Sequence, residues 1–288
     1  MYDKIKMFER HLKEEEKAEN TINKYLRDIK EFYKWYEHVG LNADIVETNA
    51  CGALLTKDVL LNYKEYLKKS KLKVSTINSK ISSLNAFFTY TKNEALKLKF
   101  LKCQKSLFGS KEIELTKKEY KRLYEASKNN EKLRHIVETI VKTGVRVSEV
   151  EYITYESLRT GKAIVDNKGK IRTILIPRKL CVILKDYCRK VGINTGHIFL
   201  TRNGTPMDRK QIWQMMKALA DKAGVSREKV FPHNLRHLFA REFYKATYDI
   251  VKLASLLGHS SIETTRIYTK ETEDECREEL ERLNILIE

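Results

Sequence analysis

Residues 257–268 read Leu257-Gly258-His259-Ser260-Ser261-Ile262-Glu263-Thr264-Thr265-Arg266-Ile267-Tyr268: a glycine that breaks a helix, then a histidine and, nine residues later, a tyrosine. Upstream, Pro232-His233-Asn234-Leu235-Arg236-His237 starts a helix at its proline, and the unpaired amides of that first turn favour an anion. Further back, Thr143-Gly144-Val145-Arg146-Val147-Ser148-Glu149-Val150 ends one helix at Gly144 and puts Arg146 at the start of the next. Between these segments residues 162–177, KAIVDNKGKIRTILIP, set two β-branched runs around an Asn-Lys-Gly-Lys turn, the pattern of a hairpin with a basic tip. Ile198 to Leu200 reads as one more short strand, and the remainder to Leu286 as helices.

The first hundred residues read as about four short helices. Tyr25, Ile29, Phe32, Tyr33 and Tyr36 recur at three and four, as do Ile77, Ile81, Leu84 and Phe88, so each segment has one core-facing stripe. Thr56 and Ser75 stand where helix N-caps belong, giving helices over 56–69 and 75–92. Leu101 to Glu114, with Cys103, Gly109 and Ser110, has no clean period and reads as a linker. A second unit opens at Thr116, whose pairing with Glu119 is a reciprocal capping pattern ahead of Tyr120, Leu123 and Tyr124, and helices follow over 131–157.

Composition narrows the chemistry. Lys and Arg number 56 against 39 Asp and Glu, an excess of 17 positive charges over 288 residues that calls for a polyanion, nucleic acid first. The charge is segregated: residues 61–110 carry eleven lysines against Glu65 and Glu94, whereas residues 271–288 carry eight acids against Arg277 and Arg282. Five scattered cysteines (Cys51, Cys103, Cys181, Cys188, Cys276) without a C-x-x-C pair argue for reduced thiols. With no apolar run long enough to span a bilayer and no leader pattern, the cytosol, or a prokaryotic nucleoid, is the expected location. His233 and His237 stand four apart as in zinc proteases, but Asn234 replaces the glutamate that chemistry needs, so no metal and no other cofactor is expected.

Cleaving a phosphodiester without a metal requires fixed cations where charge builds up. Arginine suits the task, being always charged and offering a planar fork to two phosphate oxygens at once. Each candidate has a plain reading when taken alone: an arginine as a surface ion pair, His233 as a helix cap, His259 as a turn residue, Tyr268 as one of fifteen tyrosines. Their joint occurrence, in order, is what carries the argument.

In these segments the chain resembles the tyrosine recombinase family of phage integrases and Xer proteins, through T-G-x-R-x-S-E, H-x-L-R-H and L-G-H-S followed by a tyrosine. The resemblance implies a mainly α fold with a small β-hairpin: a helical SAM-like core-binding domain over 1–108, then a catalytic domain over 109–288 ending in a docking helix. It implies that Arg146, Arg236 and His259 hold the scissile phosphate of double-stranded DNA. Tyr268 would attack to leave a 3′-phosphotyrosyl link, His233 would assist proton transfer, and Lys168 at the hairpin tip would protonate the departing oxygen, with Lys170 as the alternative. Glu149 matches a supporting acidic position. More weakly, Lys64, Lys68, Lys69, Lys71, Lys73 and Lys80 would form the DNA face of the first domain. The assembly implied is a homo-tetramer on two DNA sites, with a partner recombinase as a variant, and Leu280, Leu283 and Ile287 would dock the last helix on a neighbour. Two rivals stay open on sequence alone: a DNA-relaxing enzyme of the type IB topoisomerase kind, and a non-catalytic DNA-binding regulator on the same fold.

Overall fold

The computed structural model describes residues 2–40, 55–102, 114–167, 170–259, 261–269 and 273–282. Lys168, most of the expected linker, and Leu283 and Ile287 of the terminal stripe lie outside these residues. The chain packs as two units, Met1–Lys105 and Ser106–Glu288.

In the first unit the described helices are α1 (Tyr2–Glu14), α2 (Glu19–Gly40), α3 (Lys57–Lys69) and α4 (Val74–Tyr90), followed by a 3-10 turn at Glu94–Leu96. Both expected stripes point inward: Ile29 and Phe32 of α2, and Ile77, Ile81, Leu84 and Phe88 of α4, are buried with Phe8, Leu60 and Tyr63. Phe32 meets Tyr63 edge-on with ring centroids 4.9 Å apart. One carboxylate enters this core. Asp28 accepts from Ser83 Oγ at 2.7 Å and sits beside Arg27, Lys24 and Lys80, the pairing a buried charge requires. The capping expectation for Ser75 is corrected: Lys73 is the N-cap of α4, with no side-chain cap bond, and Ser75 lies inside the first turn. Thr56 does occupy the N-cap of α3, without a side-chain bond.

The second unit opens with α5 (Lys117–Ala126), where Thr116 Oγ1 accepts from the Glu119 amide at 3.2 Å and Glu119 Oε2 accepts from the Thr116 amide at 2.8 Å. The helices expected over 131–157 are α6 (Glu131–Thr143), which ends as expected at Gly144, left-handed at φ 65°, then a 3-10 turn (Val147–Tyr152) that starts after Arg146, and α7 (Tyr155–Thr160), capped by Thr154. Next come β1 (Lys162–Asn167) and β2 (Lys170–Leu175), antiparallel with Asn167 opposite Lys170. Ala163, Val165 and Ile174 face the core while Ile164, Ile171 and Leu175 face outward. The strand expected at Ile198–Leu200 is absent among the described residues; only single bridges form, Thr154 with His197 and Leu200 with Pro206.

The remaining described elements are α8 (Arg178–Val191), α9 (Arg209–Ala223), α10 (Pro232–Thr247), α11 (Ile250–Leu257), two 3-10 turns (Ile262–Thr264 and Arg266–Tyr268) and α12 (Glu273–Arg282). Ile136, Val137 and Ile140 of α6 are at the centre of the main core, and α6 packs on α10. A Cβ on Gly144 would lie 2.4 Å from the Phe239 ring, so only glycine lets the end of α6 approach α10 this closely. A smaller cluster gathers Ala240, Leu253, Leu257 and Tyr268, flanked by Phe239, Phe243 and Tyr244. No helix among the described residues is long and apolar enough to cross a membrane.

Candidate active site

Helix α11 ends at Gly258, which is left-handed at φ 64° and returns its amide to Ala254 and Ser255. A helix end leaves its last carbonyls without intrahelical donors and carries partial negative charge. Three arginines from three different elements meet these carbonyls. Arg172 of β2 donates from Nη1 to Leu256 O at 3.2 Å, Arg236 of α10 from Nη2 to Leu257 O at 2.7 Å, and Arg146 from Nη2 to Gly258 O at 3.2 Å. The end of one helix thus gathers three cations that would otherwise repel.

Glu149 supplies the rest of the compensation. Buried at 2 % exposure, it accepts from the Arg146 amide at 2.9 Å, from Arg146 Nη1 at 2.8 Å and from Arg172 Nη2. Burial alone would raise its pKa, but the Arg146 amide and the Arg172 and Arg146 guanidiniums outweigh it and hold the carboxyl below its ordinary range. Arg236 is also 2 % exposed, and Nη1 donates to Gly144 O at 2.5 Å. Burial, helped by the Arg146 charge, brings its pKa down to about 10, while neighbouring Tyr268 works in the other direction. Arg146 keeps 39 % of its side chain exposed and is the arginine an incoming anion meets first.

Around Arg236 stand three imidazoles and a phenol. His259 Nε2 lies 3.1 Å from Arg236 Nη2, and its Nδ1 lies 2.9 Å from Thr265 Oγ1. His233, in the first turn of α10, is exposed, and its ring packs edge to face on His237 at 4.6 Å between centroids. His237 packs the same way on Tyr268 at 4.6 Å, and His259 stacks on the other side of Tyr268 at 6.0 Å. Burial, reinforced by the surrounding cations, depresses the basicity of all three rings, His237 and His259 to about 4. Tyr268 itself is only 3 % exposed.

Five of the six residues expected at the site, Arg146, His233, Arg236, His259 and Tyr268, therefore converge on the end of α11, whereas Lys168 falls outside the described residues. Of the six lysines expected to face DNA, Lys68, Lys69, Lys71 and Lys73 are exposed. Lys64 donates to Lys99 O at 2.6 Å, and Lys80, with only 14 % of its side chain exposed, is tied to Asp28 and Glu31. Sequence reading passed over Arg172, Thr265 and any role for His237. Arg172 had a signal: it falls on the inward face of β2, opposite Val165, where an apolar residue belongs.

Comparison with known proteins gives this arrangement its setting. The phage integrase family matches residues 114–275, and the N-terminal SAM-like domain of phage integrases matches residues 5–95. The chain belongs to the phage integrase family. It is a tyrosine-type site-specific recombinase, built from a SAM-like N-terminal domain and an integrase catalytic domain. It is 30 % identical to tyrosine recombinase XerA of Pyrococcus furiosus over 98 % of this chain and 94 % of that one. It is 31 % identical to the TnP I resolvase of Bacillus thuringiensis over 98 % of this chain and all of the relative. Its fold resembles XerH bound to a palindromic difH substrate (TM-score 0.71, 22 % identity, 90 % of this chain and 78 % of that one). It also resembles a lambda integrase fragment dimer on a core site (TM-score 0.71, 19 % identity, 95 % and 96 %).

The depressed imidazoles of this recombinase make its stability pH-dependent. A histidine kept neutral by folding contributes stability that is present above the unfolded pKa of about 6.5 and is lost as the pH falls toward the folded value. With His237 and His259 at about 4, the unfolding free energy declines as the pH is lowered from about 6.5 toward 4. Denaturant titrations across that window should show the decline, and His237→Gln should make it shallower; an unchanged slope in the variant contradicts the assignment for His237.

Proposed function

We propose that this recombinase cuts and rejoins double-stranded DNA with its own Tyr268 as nucleophile and with arginines doing the work of a divalent ion. The observation that carries the reading is the convergence of Arg146, Arg236, His259 and Tyr268 at the end of α11. In the proposed reaction the Tyr268 oxygen bonds to phosphorus as the bond from phosphorus to the 5′ oxygen breaks, leaving a 3′-phosphotyrosyl link and a 5′-hydroxyl. The phenol proton leaves toward His233, and Lys168 supplies a proton to the departing oxygen. Arg146 and Arg236 stabilise the charge on the pentavalent phosphorus; because they are preorganised on carbonyls, little reorganisation remains at the moment of reaction. The bond energy is conserved in the covalent link, so no nucleotide is consumed. Tyr268 packs on residues of its own chain, which supports attack by the subunit that supplies the arginines.

The first domain would add phosphate contacts through the exposed Lys68, Lys69, Lys71 and Lys73, while Lys64 and Lys80 are held by Lys99 O and by Asp28 and Glu31. Such contacts position the enzyme without reading bases and impose a salt slope of roughly 0.9 log units for each phosphate neutralised. Replacing Lys69, Lys71 and Lys73 together by Gln should lower the slope of log affinity against log salt by about two to three units. An unchanged slope removes this face from the proposal.

For the chemistry, the substrate is a nicked duplex carrying the recombination site, recovered by binding selection from random duplexes. The native protein should accumulate a covalent adduct and Tyr268→Phe none; an adduct with the phenylalanine variant overturns the assignment. In the same assay a sulfur-substituted 5′ leaving group should rescue Lys168→Ala and leave Lys170→Ala unaffected, the reverse result transferring the acid role to Lys170.

A homologue of known structure, lambda integrase, forms a tetramer bound to a Holliday junction. We infer the same assembly here, with the acidic terminal segment docking on a neighbour; Leu280 of α12, 67 % exposed, supports this reading. A chain ending after Lys270 should sediment on DNA as smaller species than the full chain, and equal tetramer formation removes the docking role.

A further inference from the structure

Thr265 is wholly buried yet polar, and its hydroxyl oxygen lies 2.9 Å from His259 Nδ1, while Arg236 Nη2 lies 3.1 Å from Nε2 of the same ring. A guanidinium has donors only, so Nε2 must present its lone pair. The neutral ring then carries its one proton on Nδ1, and Thr265 Oγ1 accepts it. A phosphate ligand, however, needs a donor from Nε2. The free enzyme therefore holds His259 in the form opposite to the one phosphate binding requires.

We propose that Thr265 is a positioning residue whose hydroxyl accepts and holds the Nδ1 proton that Arg236 imposes on His259 in the free enzyme, and reverses its own direction when a phosphate arrives. The inference rests on the reading of Arg236 and His259 as phosphate ligands. When a phosphate oxygen takes over the Arg236 N–H, the ring releases the Nδ1 proton to solvent and takes one proton from solvent at Nε2. The Thr265 hydroxyl turns to donate into the vacated Nδ1, and Nε2–H donates to the phosphate. One proton leaves and one arrives, so the ring is neutral before and after the exchange, in keeping with its depressed basicity in this cationic setting. A hydroxyl can both accept and donate, which a main-chain carbonyl in its place could not do.

Two variants separate this role from packing. Thr265→Val keeps the shape and removes both hydrogen-bonding capacities; Thr265→Ser keeps them. Nitrogen-resolved NMR of the free full-length protein should show an Nδ1–H on His259 that exchanges slowly in the native chain and in Thr265→Ser and much faster in Thr265→Val, where Arg236 still claims Nε2 but no oxygen holds the proton. On the nicked duplex, adduct formation should slow by about tenfold in Thr265→Val, the worth of roughly one buried hydrogen bond, and Thr265→Ser should recover most of it. An Nε2–H ring in the native protein, an Nδ1–H that exchanges as slowly in Thr265→Val as in the native chain, or a valine variant that forms adduct as fast as the native chain each overturns the proposal. Should Thr265→Val not fold, the native spectrum still decides. That spectrum involves no DNA, so its result stands apart from any failure of Tyr268→Phe to abolish the adduct.

Discussion

The site depends on one electrostatic arrangement: the unpaired carbonyls of Leu256, Leu257 and Gly258 at the end of α11 receive Arg172, Arg236 and Arg146. Three guanidiniums brought this close lose solvation and repel one another. The negative end of a helix offsets part of that cost and fixes each fork in direction. Glu149 offsets more, because a single buried carboxylate binds two of the three. Gly258 makes the arrangement fit: its left-handed turn exposes the carbonyls, and a Cβ there would fall 2.6 Å from Arg172 Cδ. Any other residue would both strain the turn and push away the arginine that ties the hairpin to the site.

The concentration of positive charge dictates the state of everything near it. His233, His237 and His259 are all driven toward the neutral form, by desolvation first, only partial at the exposed His233, and by neighbouring positive charge next. Neutral imidazoles can accept a proton from a phenol, which imidazolium ions could not. Tyr268 makes ring contacts with two of these imidazoles and lies in a small apolar cluster of its own, so the proposed nucleophile is held by packing and the arginines by hydrogen bonds. The two sets of forces act on different residues, and the 3-10 turns after Gly258 join them across only ten positions.

Much of this was legible beforehand because the relevant residues announce themselves locally. Gly144 and Gly258 mark helix ends, Pro232 marks a helix start, and the arginine, histidine and tyrosine motifs follow at fixed distances from them. The Thr116 and Glu119 cap was legible for the same reason, since its partners are three residues apart. Ser75 misled because a capping residue type is a weak signal when its own backbone is already helical. The short strand at Ile198–Leu200 misled because apolar composition does not by itself provide a strand to pair with. Arg172 and Thr265 went unassigned because their partners lie 84 residues away in one case and behind a turn in the other.

Sequence by itself determined the family, and with it the pairing of a SAM-like helical domain with an integrase catalytic domain, and it singled out the candidate residues for the chemistry, because each is set by short-range pattern and by the charge a phosphate demands. Only the tertiary structure decided that three arginines share one helix end, that Glu149 bridges two of them, and that Arg236 and Thr265 flank the two ring nitrogens of His259. Those facts depend on which carbonyls remain unpaired after α6, α10, α11 and the hairpin have packed together, and no local pattern encodes that.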